Sequence, residues 1–182
     1  IEPSNLAYGT AKISGYVQCL NYHKQFGRNY FTVIPASLYG PFDNYDLNQC
    51  HVTPALLLRM HFAKKNRAES FVVWGTGKPR RELLYVDDAA NGVVLLLGKW
   101  KAEFGTVNLG AGRDISVQEI AETIKDVVGF RGRLENDLSK PDGNPQKLLD
   151  SRKIFELDFR TQVDLRDGLT KTYQWLLNAK DI

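Results

Sequence analysis

Short apolar runs alternate with longer segments of mixed polarity along these 182 residues, a rhythm that predicts strands separated by helices. Tyr30-Phe31-Thr32-Val33-Ile34 is β-branched and aromatic, too short for a helix, and closed by Pro35. Phe71-Val72-Val73-Trp74 reads as a second strand, Glu82-Leu83-Leu84-Tyr85-Val86 as a third and Thr106-Val107-Asn108-Leu109 as a fourth. A long helix is expected from Leu6 to Phe26, with Ala7, Gly9, Ala11, Ser14 and Gly15 small enough for close helix packing. The next helix should use Thr53 as N-cap and Pro54 as its first residue. A third runs from Asp87 or Asp88 to Gly98, and the capping box Ser116-x-x-Glu119 opens a fourth that ends near Val128. Helical patterns return at 151–157 and 165–178, whereas the stretch from Asn136 to Pro145 has the composition of a linker. No internal repeat is visible, and the alternation of elements argues for an α/β protein.

Composition narrows the class further. Hydrophobic residues make up 43% and charged residues 25%, ordinary values for a soluble chain, and no apolar run is long enough to cross a bilayer. The net charge of +3 comes from lysines and arginines scattered along the sequence, a poor footprint for nucleic acid and a better one for a small anionic ligand. Cys19 and Cys50 provide neither a disulfide framework nor metal-ligand spacing, so no metal site is expected and a reducing cytoplasm is the simple inference. Cys19 reads as a packing residue, and His23 and His61, which fall inside predicted helices without companion ligands, read as surface or packing residues. Ile1-Glu2-Pro3-Ser4 has no leader pattern and the first residue is not methionine, so the start reads as a cut or an unobserved beginning. A complete nucleotide-binding unit would open on a strand and a glycine-rich turn. Gly110-Ala111-Gly112 is the nearest candidate, and without a third glycine it reads as a plain turn.

Candidate chemistry begins at Tyr8 and Lys12, four residues apart and therefore on one helical face. A lysine ammonium beside a phenol favours the phenolate, and such a pair can exchange a proton with a carbonyl or alcohol oxygen. Taken with Leu38-Tyr39-Gly40-Pro41, the run from Trp74 to Glu82, and Tyr85-Val86-Asp87-Asp88, the pair resembles the extended short-chain dehydrogenase/reductases that act on nucleotide sugars. Gly40-Pro41-Phe42-Asp43-Asn44, His51-Val52-x-Pro54-Ala55-Leu56-Leu57 and Lys140-Pro141-Asp142-Gly143-x-Pro145-x-Lys147-Leu148-Leu149-Asp150 are similar, within that superfamily, to the GDP-L-fucose synthase family.

The resemblance implies the C-terminal part of a Rossmann-type doubly wound domain plus a smaller α/β substrate-binding domain. Residues 1–50 would end the dinucleotide-binding domain and 51–182 would mainly bind a GDP-sugar, with roughly 81–100 returning to the first domain. It covers almost all of this chain but only the family's C-terminal half or a little more. The family's glycine-rich loop, catalytic serine and epimerisation cysteine have no counterpart here. The implied reaction is epimerisation at C3 and C5 of GDP-4-keto-6-deoxy-D-mannose and reduction at C4 by NADPH. Tyr8 would supply the proton to C4 oxygen, Lys12 would hold the nicotinamide ribose, and His51 would be the acid of epimerisation, for which an imidazole titrating near neutrality is suited. Tyr8, Lys12, Pro35, Ala36, Ser37, Leu38 and His51 would contact NADPH or NADP, although family members often have asparagine where Ser37 stands. Arg59 and Arg81 would hold the diphosphate, Trp74 would line the nucleotide pocket, and Asp142 and Lys147 would come from the late loop. Cys50 is incidental on this reading. A homodimer formed through the first helix is implied, with no nucleic-acid or membrane partner. Another nucleotide-sugar epimerase, reductase or dehydratase of the superfamily, or a nucleotide-sugar-binding fragment without turnover, stays open at this point.

Overall fold

The computed structural model describes residues 5–179; residues 1–4, on which the expectation about the chain's start rests, and 180–182 lie outside it. Helix α1 (Leu6–Phe26) leads into strands β1 (Val33–Pro35) and β2 (Ser37–Tyr39). Then follow α2 (Val52–Lys65), β3 (Ser70–Trp74), β4 (Arg80–Arg81), β5 (Leu83–Tyr85) and α3 (Val86–Lys99). The remainder is β6 (Val107–Leu109), β7 (Ile115–Ser116), α4 (Val117–Val128), β8 (Arg133–Asp137), β9 (Gln146–Lys147), α5 (Arg152–Phe155) and α6 (Leu165–Ala179). Three parallel pairs, β1 with β6, β2 with β5 and β3 with β8, are each closed by a crossover that includes helix, the signature of an α/β fold. A small mixed sheet sets β4 between antiparallel β7 and parallel β9.

Two apolar cores result. One gathers Leu57, Met60, Val73, Ile120, Ile124 and Leu176 between α2, α4, α6 and β3. The other packs Leu84, Leu96, Val107, Leu109, Ile154 and Phe159 around β5, α3 and β6, with Val33 of β1 against it. The capping box of α4 forms as the sequence requires: Ser116 Oγ accepts from the Glu119 amide at 3.1 Å and the Glu119 carboxylate accepts from the Ser116 amide at 2.7 Å. By contrast, α1 ends at Gly27 in the left-handed region but buries none of its 21 residues.

Three expectations are corrected. His51, not Thr53, is the N-cap of α2, and Pro54 sits at the third helical position. A proline is tolerated there because the first four amides of a helix have no intrahelical acceptor. The expected strand 82–86 is broken: β4 precedes Glu82, β5 follows it, and Val86 already begins α3. The supposed linker overlaps β8, whose Arg-Leu-Glu-Asn-Asp is strand only because its backbone pairs residue for residue with β3.

The C-termini of α2 and α4 lie side by side with the same motif. Ala68 donates to Ala63 O and Arg67 to Lys64 O, while Phe130 donates to Lys125 O and Gly129 to Asp126 O. The left-handed residue is Gly129 in one motif (φ 72°) and Arg67 in the other (φ 54°). Arginine in that conformation costs about 1 kcal/mol relative to glycine.

His61 is buried in α2, its Nδ1 2.9 Å from the Tyr173 hydroxyl and its Nε2 without a hydrogen-bond partner among the described residues. Burial, helped by Lys65 and Lys64, lowers its pKa from the ordinary 6.5. The unfolded chain therefore takes up a proton that the folded chain refuses in the window below 6.5. This contribution to stability is whole above that pH and is lost as the pH falls through the lowered value. Between pH 7 and pH 5.5 the melting temperature should fall more steeply in the wild type than in His61→Gln; equal slopes would remove His61 as the source.

Candidate functional site

Tyr8 and Lys12 share a face of α1, with Lys12 Nζ 5.3 Å from the centroid of the Tyr8 ring. Tyr8 is 60% exposed, so the pair is open to a ligand. The strand-end segment nearest in sequence is a crossover point. Pro35 closes β1 beside Leu109, Ala36 donates to Leu109 O at 2.9 Å, and Ser37 then starts β2 beside Leu83. Ser37 and Leu38 are left exposed where the chain changes neighbours at the carboxyl end of a parallel strand, the position at which open α/β sheets take ligands. His51 is exposed at the start of α2, and its side chain caps nothing. At Cys50, burial pushes the thiol pKa up, which keeps the sulfur protonated and argues against a thiolate base.

A second group of residues is tied together directly. Trp74 ends β3 and is 61% exposed. The Arg59 guanidinium lies 5.3 Å from the centroid of that ring and 5.1 Å from that of Phe71, and Lys140 Nζ lies 5.9 Å from the Trp74 centroid. Arg59 donates to Val72 O at 3.1 Å, and partial burial pulls its pKa down from the ordinary guanidinium value. Arg81 donates from Nη1 to Arg80 O and Asn144 O, both at 2.7 Å, and stands in register with Lys147 of β9. Both arginines are thus anchored by main-chain carbonyls, and among the described residues neither is paired with a carboxylate. Arg80, one residue earlier, is instead paired with Asp114 at 2.7 Å and serves the β4, β7 and β9 sheet.

Asp142 latches the late loop onto the turn after β3: its carboxylate accepts from the Thr76 hydroxyl at 2.7 Å and amide at 2.8 Å. Those two bonds hold the carboxyl below the usual carboxylate range. The turn requires glycine at 75, where φ is 74° and an added Cβ would strike the Asp142 carboxylate.

Glu82 is a residue that sequence reasoning passed over. It is 2% exposed, and its two carboxyl oxygens accept from Gly112 N and Leu149 N, each at 2.8 Å. Gly110-Ala111-Gly112 is therefore a turn folded round a buried carboxyl group, since a Cβ at Gly110 would collide with Glu82 and with Ser151 Oγ. Glu82 fastens the turn after β6 to the segment behind Lys147. Lys140 was also passed over, because nothing in a polar loop marks the lysine that will reach a tryptophan.

The residues thus fall into two sets. In one, Arg59 rests on Trp74, Arg81 stands in register with Lys147 and donates to the late loop at Asn144, and Asp142 fastens that loop to Thr76, two residues after Trp74. Among the described residues no hydrogen bond or ion pair links Tyr8, Lys12 or His51 to that set. No group of three or more metal-ligating side chains occurs among the described residues.

The profile of the NAD dependent epimerase/dehydratase family matches residues 2–110. The chain is 48% identical over 177 residues to GDP-L-fucose synthase 1 of Arabidopsis thaliana, covering 97% of this chain and 54% of that protein. It is 42% identical over 189 residues to the GDP-L-fucose synthase of Escherichia coli strain K12, covering 100% of this chain and 59% of that one. Among solved structures, a GDP-L-fucose synthetase from Naegleria fowleri bound to NADP superimposes with a TM-score of 0.89 at 31% identity, covering 97% of this chain and 57% of the other. The chain spans a little over half the length of each.

Proposed function

The chain belongs to the NAD dependent epimerase/dehydratase family, and from that premise we propose that it forms the substrate half and the proton-donating helix of an NADPH-dependent enzyme converting GDP-4-keto-6-deoxy-D-mannose to GDP-L-fucose. The observation that carries this reading is the exposed Trp74 ring beside Arg59, together with Arg81, both guanidiniums bonded to main-chain carbonyls and, among the described residues, to no carboxylate. A planar aromatic face beside such guanidinium groups suits a base and a diphosphate. The identity to the two synthases supports the same choice.

On this reading residues 1–50 end the cofactor-binding domain and 51–182 bind mainly the GDP-sugar, with roughly 81–100 belonging to the first. Its support is that β5 and α3 pack into the same core as β1 and β6. Tyr8, Lys12, His51 and the exposed strand end from Pro35 to Leu38 would hold NADPH, which when bound supplies hydride to C4. The Tyr8 hydroxyl gives the C4 oxygen its proton, and Lys12, beside the Tyr8 ring, would hold the nicotinamide ribose. His51 returns a proton to carbon after abstraction beside the ketone, and its uncapped side chain is free to reach substrate. Arg59, Arg81, Lys147 and the late loop latched by Asp142 orient the nucleotide. The protein acts as a homodimer through α1, whose side chains are all left unburied, and works in the cytoplasm; no helix among the described residues is long and apolar enough to cross a membrane.

Calorimetric titration of this chain with GDP, with UDP and dTDP as controls, tests the reading. Saturable binding of GDP alone is expected, weakened at least about tenfold by Arg81→Ser, the loss of one charge-assisted contact. Equal binding of all three nucleotides, or none, counts against it.

A further inference from the structure

The lysines and arginines look scattered in sequence, yet five of them meet in space. Lys64, Arg67, Lys125, Arg131 and Arg133 line one cavity of ≈ 1200 Å³ between the ends of α2 and α4 and the start of β8. Only Glu69 and Asp126 add negative charge to that lining, and Asp126 is held by Arg166 at 2.6 Å. Five cations against two carboxylates leave +3, the net charge of the whole chain, so every other charge in the sequence cancels.

Among the described residues no ion pair engages Lys64, Arg67, Lys125 or Arg131. Arg133 has only a long contact of 3.9 Å with Glu135. Arg67 supplies an independent observation. It occupies the left-handed position that the neighbouring motif gives to Gly129, and among the described residues its side chain makes no hydrogen bond or ion pair that would fix an arginine there. A strained backbone that presents one exposed cation at the mouth of a basic cavity points to use of that cation. The cavity lies at the opposite end of α2 from His51, about 20 Å away at the helical rise, and shares no lining residue with the Trp74 site. Its aromatic residue, Phe130, is buried and offers no face for a base.

We propose that this cavity is a second anion site, separate from the nucleotide-sugar site, which takes a small molecule bearing several phosphate charges. Concentrated positive charge in one concavity, with no exposed ring and no stripe along the surface, favours such a molecule over a nucleic-acid strand.

The test is calorimetric titration of the chain with tripolyphosphate at low ionic strength. Saturable binding is expected, weakened at least about tenfold by the double variant Arg67→Gly/Arg131→Ser and retained in Arg81→Ser. Arg67→Gly relieves strain, so a melting temperature at or above the wild type will show that the loss is not unfolding. Absence of binding, unchanged affinity in the double variant, or loss through Arg81→Ser alone would each overturn the proposal. So would a dodecathymidylate strand that binds more tightly than tripolyphosphate and is weakened by the same double variant.

Discussion

Tyr8→Phe is expected to slow reduction of the 4-keto group roughly 10²–10⁴-fold in an active form of the enzyme, the range of a lost general acid. That corresponds to about 3–5 kcal/mol of transition-state stabilisation. The substitution removes one oxygen and leaves the ring against which Lys12 rests. Because Tyr8 is 60% exposed and α1 buries none of its residues, the helix loses no packing. Lost rate therefore reports chemistry. NADPH consumption with an already epimerised ketone is the measurement, and an unchanged rate would remove Tyr8 from the mechanism. His51→Gln gives the complementary result: it spares that reduction but halts product formation from the unepimerised substrate. Equal loss of both activities would instead make His51 a general binding residue.

Glu82→Gln should destabilise the fold by about 2–4 kcal/mol. Glutamine keeps one acceptor oxygen and turns an amide donor toward the other backbone N–H. With Glu82 only 2% exposed, the introduced amide donor is held away from water and against a backbone N–H that it cannot accept from. That is a large part of a typical net stability of ~5–15 kcal/mol. Urea midpoints of the two proteins measure it, and a difference under about 1 kcal/mol would mean that the two bonds are not both made in solution. GDP affinity should fall with it, because the Leu149 amide holds the strand that carries Lys147 in place beside Arg81.

Most local signals along the chain were reliable guides, although Thr53-Pro54 misplaced the start of α2 by two residues. Ser116 and Glu119 cap each other three residues apart, Gly27 stops α1 through its own backbone, and Tyr8 and Lys12 meet because four residues make about one turn. Long-range signals gave little. The strand character of β8 resides in its partner β3, more than 50 residues away, and Arg-Leu-Glu-Asn-Asp carries no apolar period of its own. Glu82 finds its donors 30 and 67 residues later, so no window around it announces a brace. The site shows the same division. Arg59, Trp74 and Arg81 could be named through resemblance, but that Arg59 rests on Trp74 while Arg81 grips the Asn144 carbonyl follows only from the folded chain. The five cations of the basic cavity were visible singly and became a group only when α2 and α4 ended side by side.

Arg80, Arg81 and Glu82 send three consecutive side chains to three destinations: a carboxylate across the sheet, the late loop, and the buried turn after β6. Insertion or deletion of one residue between Lys78 and Leu83 would hand each destination to the wrong neighbour, aiming an arginine into the core and a glutamate at the late loop. This stretch should accept many substitutions nearby but no change of length, so its spacing is a better guide than its composition when other chains are compared with this one.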